Sequence, residues 1–181
     1  MDNLTLLGVA VALGMDAFAV ALAVSSGLSP VTFRHMFRLT WHFGLFQSLM
    51  TFLGWFGGKS ISHMFGGMNE WIASGLLILI ACKMLKESWS AEHRIEGFDP
   101  TRGWSLVFLS VATSLDALAV GISFSLIHIK IVFPIAAIGI TAFLMTLTGM
   151  AIGHHVGKSL GKWAERTGAV VLIIIGLEML I

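Results

Sequence analysis

Two aspartates stand where chemistry is expected: Asp16 and Asp116, each inside a long apolar run and each followed by alanine. A carboxylate at the centre of a membrane span costs about 2.5–3.5 kcal/mol on insertion scales, so such a residue marks an ion or substrate path. Both are flanked by small residues at helical spacing, Ala10, Gly14, Ala17 and Ala21 around the first and Ser110, Ser114, Ala117 and Gly121 around the second. Small faces let helices approach closely. The pattern predicts that the two carboxylates come together, where like charges in a low dielectric repel and favour protonation of at least one unless a cation intervenes. A divalent cation is the natural counter-ion. The bland alternative is an aspartate that is protonated, or bonded to a neighbouring Ser or Thr, and only packs helices.

The elements around these residues follow from composition. Of 181 residues, 56% are apolar and 12% charged, with 11 Lys+Arg against 10 Asp+Glu and a mean hydropathy of +0.89. A soluble domain carries about 25% charged residues, and a helical span needs about 20 apolar residues. The chain therefore divides into six spans with little else, and a soluble catalytic domain is excluded. Eleven scattered cations build no surface for nucleic acid. The single cysteine, Cys82, cannot form an intrachain disulfide.

The apolar stretches are Leu4–Ser26, His35–Gly57, Trp71–Lys86, Trp104–Ile127, Ile131–Gly153 and Trp163–Ile181, read as helices 1 to 6 of an all-α membrane protein. The third and sixth are short, and re-entrant passage of both would leave four spans. Trp55, Trp71, Trp104 and Trp163 fall at stretch ends, where an indole suits the headgroup level. Residues 87–103 form a polar linker between a first unit, 1–86, and a second, 104–181. Arg34, Arg38, Lys83, Lys86, Arg94, Arg102, Lys158, Lys162 and Arg166 fall on one side of the membrane; Lys59 and Lys130 fall on the other. The positive-inside rule then makes the odd connections cytoplasmic and puts both termini outside. On this account Lys83 snorkels from a helix end.

The two units are copies. With Ala10–Ser26 set over Ser110–Leu126, the identities are Val11/Val111, Ala12/Ala112, Asp16/Asp116, Ala17/Ala117, Ala19/Ala119, Val20/Val120 and Ser25/Ser125. An offset of 95 pairs Leu49-Met50-Thr51 with Leu144-Met145-Thr146, Gly54 with Gly149, and Gly58 with Gly153. It also pairs Leu77, Ile78, Ile80, Met84 and Leu85 with Leu172, Ile173, Ile175, Met179 and Leu180, and sets Lys83 over Glu178. Three spans per copy force the second into the membrane upside down, the inverted repeat of many secondary transporters, whose sites lie at the midplane.

Weaker signals surround this pair. Gln47 lies one turn before Thr51 and offers an amide oxygen to a cation or a hydrogen bond to another helix. His42 reads as packed or interfacial, and His154-His155 as interfacial, lacking the spacing of a helical zinc pair. Met15, Met50 and Met145 read as packing. Gly54-x-x-x-Gly58 and Gly149-x-x-x-Gly153-x-x-x-Gly157 read as close-packing stripes, within one chain or between two copies of a homo-oligomer. Gly58–Ser60 and Gly157–Ser159 end like phosphate loops, but Leu53 and Ile152 replace the earlier glycine.

Met15–Val20, Phe43–Gln47, Gly54-Trp55, Lys83-Met84 with Glu87, and Ala112–Gly121 together resemble the bacterial manganese efflux pump family, over essentially the whole chain. The resemblance implies export of Mn²⁺ across the inner membrane and places the family's functional aspartates at Asp16 and Asp116. Here Gly14 replaces the family's usual serine, and Thr51 a frequent proline. The expectation is therefore a transporter, not an enzyme, with no catalytic residues and no bound cofactor. Mn²⁺ is its substrate, held by Asp16 and Asp116 with Gln47 and Ser114 in support, since hard oxygen donors suit Mn²⁺ and Mg²⁺. Alternating access and proton antiport would complete the cycle. Export of another divalent cation, or of a cationic solute such as an amino acid, is the alternative; a non-transporting assembly protein would need cofactor ligands that the sequence does not offer.

Overall fold

The computed structural model describes residues 3–28, 30–65, 69–89, 100–156 and 159–178. Among these, every regular element is helical: α1 (Asn3–Gly27), α2 (Phe33–Phe65), α3 (Asn69–Trp89), α4 (Gly103–Thr113), α5 (Leu115–Leu126), α6 (Val132–Val156) and α7 (Ser159–Glu178). Leu4–Gly27, Gly103–Leu126 and Val132–Gly153 are long and apolar enough to cross a membrane, and Trp71–Lys83 and Arg166–Leu177 are shorter apolar helices. Helix α2 has the length but carries Arg34, His35, Arg38, His42 and Gln47, and it runs past the expected end at Gly57. Most of the expected linker, residues 90–99, lies outside the described residues, as do the side chains of His154 and His155.

Packing follows from where the chain lacks side chains. A Cβ on Gly149 would lie 2.8 Å from the Phe18 carbonyl oxygen, and one on Gly153 2.8 Å from Ser25 Cβ. The Ser25 hydroxyl donates to the Met150 carbonyl at 2.8 Å. Contacts that climb both chains together mean that α1 and α6 run parallel. The same holds for α2 and α5: Gly54 meets the Leu118 carbonyl, and a Cβ on Gly58 would lie 2.7 Å from Ser125 Cβ. Helices α2 and α6 run antiparallel, with Gly44 against Gly139 and the Ser48 hydroxyl donating to Ile135 at 3.2 Å.

Helix α3 lies against α5, where the Ser123 hydroxyl is shared between the Ala73 carbonyl at 3.2 Å and its own helix's Ala119 carbonyl at 3.1 Å, and against α7, where Ser74 donates to the Gly176 carbonyl. The buried set is rich in hydroxyls, Ser25, Thr40, Thr51, Ser74, Ser110, Ser123 and Thr146, while Phe37, Trp41, Phe56, Ile140 and Ile174 face outward. Small polar groups inside and large apolar ones outside suit helices that associate in lipid, where burial of apolar surface gives no driving force. Trp71, Trp104 and Trp163 are exposed. Trp55 instead donates its indole N–H to the Ile129 carbonyl at 3.0 Å, with Lys59 over its ring.

That tryptophan secures the turn between α5 and α6. His128 takes φ 59°, and the backbone N–H groups of His128 and Ile129 reach back to the Ser125 and Phe124 carbonyls at 3.1 and 2.9 Å. This is a left-handed helix end that glycine usually occupies.

Candidate cation site

The fourth span is not one helix. It breaks at Ser114, whose φ −98° and ψ 3° separate α4 from α5. Ser110 and Thr113 turn their hydroxyls onto the carbonyls four residues back, Leu106 and Leu109, at 2.7 and 2.8 Å. Such back-bonding bends helices. The break places Asp116 in the first turn of α5, where the positive end of a helix dipole favours a carboxylate.

Asp116 is 4% exposed. Its Oδ1 lies 2.6 Å from the Lys83 ammonium, and its Oδ2 is buried without a hydrogen-bond partner. The counter-ion that sequence reasoning assigned to a divalent cation is therefore, in this structure, a lysine from α3. Lys83 does not simply snorkel away from the bundle; its stem carries the charge inward onto the aspartate.

Gln47 is 1% exposed and comes to the same break from α2, donating Nε2 to the Thr113 carbonyl at 3.5 Å. Its Oε1 and the Ser114 hydroxyl are buried without partners. Three oxygens of hard-donor type, Asp116 Oδ2, Gln47 Oε1 and Ser114 Oγ, thus lie inside the protein with hydrogen-bonding capacity unspent. Buried polar atoms are rarely left so. Among the described residues, no three His, Cys, Asp or Glu side chains form a metal-holding group; a cation here would rely largely on neutral oxygens, which suit Mn²⁺, Mg²⁺ or Ca²⁺.

Asp16 has a different setting. It is half-buried in an unbroken α1, whose main neighbours are α6 and α7 and which touches α4 only lightly. The small faces of the first and fourth spans do not press on each other as the sequence suggested; α1 lays its small face on α6, and α5 lays its own on α2. His42 bonds through Nδ1 to the Arg38 carbonyl at 2.8 Å, within its own helix. A Cβ on Gly14 would meet Met145 at 3.0 Å, which puts that methionine in packing.

These features define a multi-pass helical membrane protein with a charged centre inside its bundle, the class to which small ion carriers belong. A family model described as "Putative manganese efflux pump" matches residues 30–180. Proteins named "Putative manganese efflux pump MntP" are similar along nearly their whole length. The one from Syntrophotalea carbinolica is 48% identical over 99% of this chain and 96% of its own. Those from Maridesulfovibrio salexigens and a Geobacter species are 48% and 45% identical, over 96% and 100% of this chain and 95% and 97% of theirs. No solved structure matches. The chain belongs to the MntP family.

Proposed function

We propose that this protein exports Mn²⁺ from the cytoplasm across the inner membrane, with both chain termini outside. The names of its relatives support the cargo. The observation that carries the site is the buried Asp116 at the break of the fourth span, with Gln47 and Ser114 oxygens unspent around the same break. Asp16 supplies the second carboxylate from the matching position of the first unit. Residues 1–86 and 104–181 act as two inverted repeats; support comes from pairings that keep their pattern when α1 is exchanged for α4–α5, α2 for α6 and α3 for α7.

Cytoplasmic Mn²⁺ sheds part of its water, is held between the repeats, and is released outward as one repeat rocks against the other. A proton taken up on a carboxylate aids release and resets the carrier. The protein is a transporter rather than an enzyme, and Mn²⁺ is its cargo rather than a cofactor.

The ammonium seated on Asp116 favours a second reading, export of a small cationic solute such as an amino acid, since the carboxylate accepts an ammonium group. Mn²⁺ flux in proteoliposomes, with an internal pH dye, decides between them. Flux in the wild type that is lost in Asp16→Asn and Asp116→Asn, with opposing proton movement, is the expected result. Absent Mn²⁺ flux, or full flux in both variants, overturns it; competition by lysine or arginine would support the second reading.

A further inference from the structure

The Lys83–Asp116 pair is unlike a structural ion pair in three respects. First, it is unequal: the Lys83 side chain is 40% exposed and that of Asp116 5%. The lysine can withdraw along its flexible stem while the aspartate stays where it is. Second, it is incomplete, because the ammonium takes Oδ1 and leaves Oδ2 buried without a partner. Pairing repays the desolvation of a buried carboxylate only when its remaining lone pairs are also satisfied. Third, it is not part of the framework that the two units share: Glu178 holds the position matching Lys83, so the repeat conserves the aspartate and not its lysine.

We propose that Lys83 is a tethered stand-in for the transported cation: its ammonium covers Asp116 when no cation is bound and leaves as one arrives. This rests on the reading of Asp116 as part of the cation path. With the resetting proton on Asp16, Asp116 is left as a bare carboxylate while the empty carrier returns, a costly state in hydrocarbon. Lys83 removes the cost. Cation binding then becomes a displacement, with apparent affinity lowered in proportion to how fully the lysine occupies the site.

The test separates two fluxes of Mn²⁺ in proteoliposomes: exchange, with Mn²⁺ on both sides, and net efflux into a Mn²⁺-free medium. Exchange uses only the loaded carrier, whereas net efflux also needs the empty one to return. In Lys83→Met, net efflux is expected to fall about tenfold or more, exchange to stay within about twofold, and the half-saturating Mn²⁺ concentration to drop about tenfold. Lys83→Arg, which keeps the charge, is expected to retain net efflux within about threefold. Lys83→Gln, which can still donate to Oδ1, serves the same comparison if the methionine variant does not fold, with the same split expected.

Net efflux and exchange that stay unchanged, or that fall together, overturn the proposal. Full Mn²⁺ flux in Asp116→Asn overturns instead the cation-path reading on which it rests.

Discussion

Gln47 of α2 and Thr113 of α4 are joined across the bundle, the amide nitrogen donating to the carbonyl at the last residue before the fourth span breaks. At 3.5 Å the contact is long, and it turns one end of the amide toward the backbone. Nε2 faces the backbone, and Oε1 remains an acceptor. Gln47→Leu, similar in volume, is expected to lower Mn²⁺ efflux about tenfold, a loss on the scale of one ligand-type interaction. Thermal unfolding of the purified variant should move little, because interhelical hydrogen bonds in membranes average about 0.6 kcal/mol.

Ser114 gives a sharper separation of stability from transport. Its buried hydroxyl has no partner, so Ser114→Ala removes an unsatisfied group and is expected to leave stability unchanged or raise it by up to about 1 kcal/mol. The half-saturating Mn²⁺ concentration for efflux should rise severalfold in the same variant. An unchanged value would remove Ser114 from the site.

The glycines of α2 differ sharply over a few residues. Gly54 abuts the Leu118 carbonyl, and Gly57 has open space where a Cβ would stand. Gly54→Ala is expected to destabilise by about 1–3 kcal/mol, as overpacking does. Gly57→Ala should be neutral or stabilise by about 0.5–1 kcal/mol through helix propensity. Unfolding of both in the same detergent checks the contrast.

Ser74 ties α3 to α7 through the Gly176 carbonyl. Ser74→Ala is expected to cost about 0.6–2 kcal/mol, read as a lower thermal midpoint, with exchange of Mn²⁺ retained.

The helical stretches and the glycine stripes were legible in the sequence because each depends on local periodicity or spacing. Gly149 and Gly153 do lie under α1, and Gly54 and Gly58 under α5. Which helix each stripe would meet was not legible, since close approach is encoded on one surface and satisfied by any complementary one. The break at Ser114 lacks the usual Gly or Pro; its signal is the cluster of hydroxyls at Ser110, Thr113 and Ser114, which also occurs in unbroken helices. Lys83 was missed for a different reason. A lysine at the end of an apolar run looks the same whether its stem reaches outward or in, and its partner is 33 residues away on another span. The inequality of the two aspartates was likewise hidden: Ala142 stands at the position matching Gln47, and Glu178 at that matching Lys83, but only packing shows that Lys83 meets Asp116 and that Gln47 meets Thr113 beside the break.

Gly44 and Gly139 occupy matching positions of the two units, and a Cβ on either would lie 3.1 Å from the carbonyl oxygen of the other. Backbone meets backbone there, and side chains crowd the same contact: a Cβ on Gly44 would also lie 3.1 Å from the Phe143 Cβ, and one on Gly139 would run into the Ser48 hydroxyl. Interdigitated side chains resist sliding because each must climb out of its groove, and Ser48, bonded across this seam to Ile135, is such a tooth. Helices α2 and α6 therefore meet closely at a pegged seam, with α1 laid on α6 and α5 on α2 to either side of it. A side chain as small as a methyl at either glycine would act as a wedge in that seam, forcing the two helices apart without touching a single charged group.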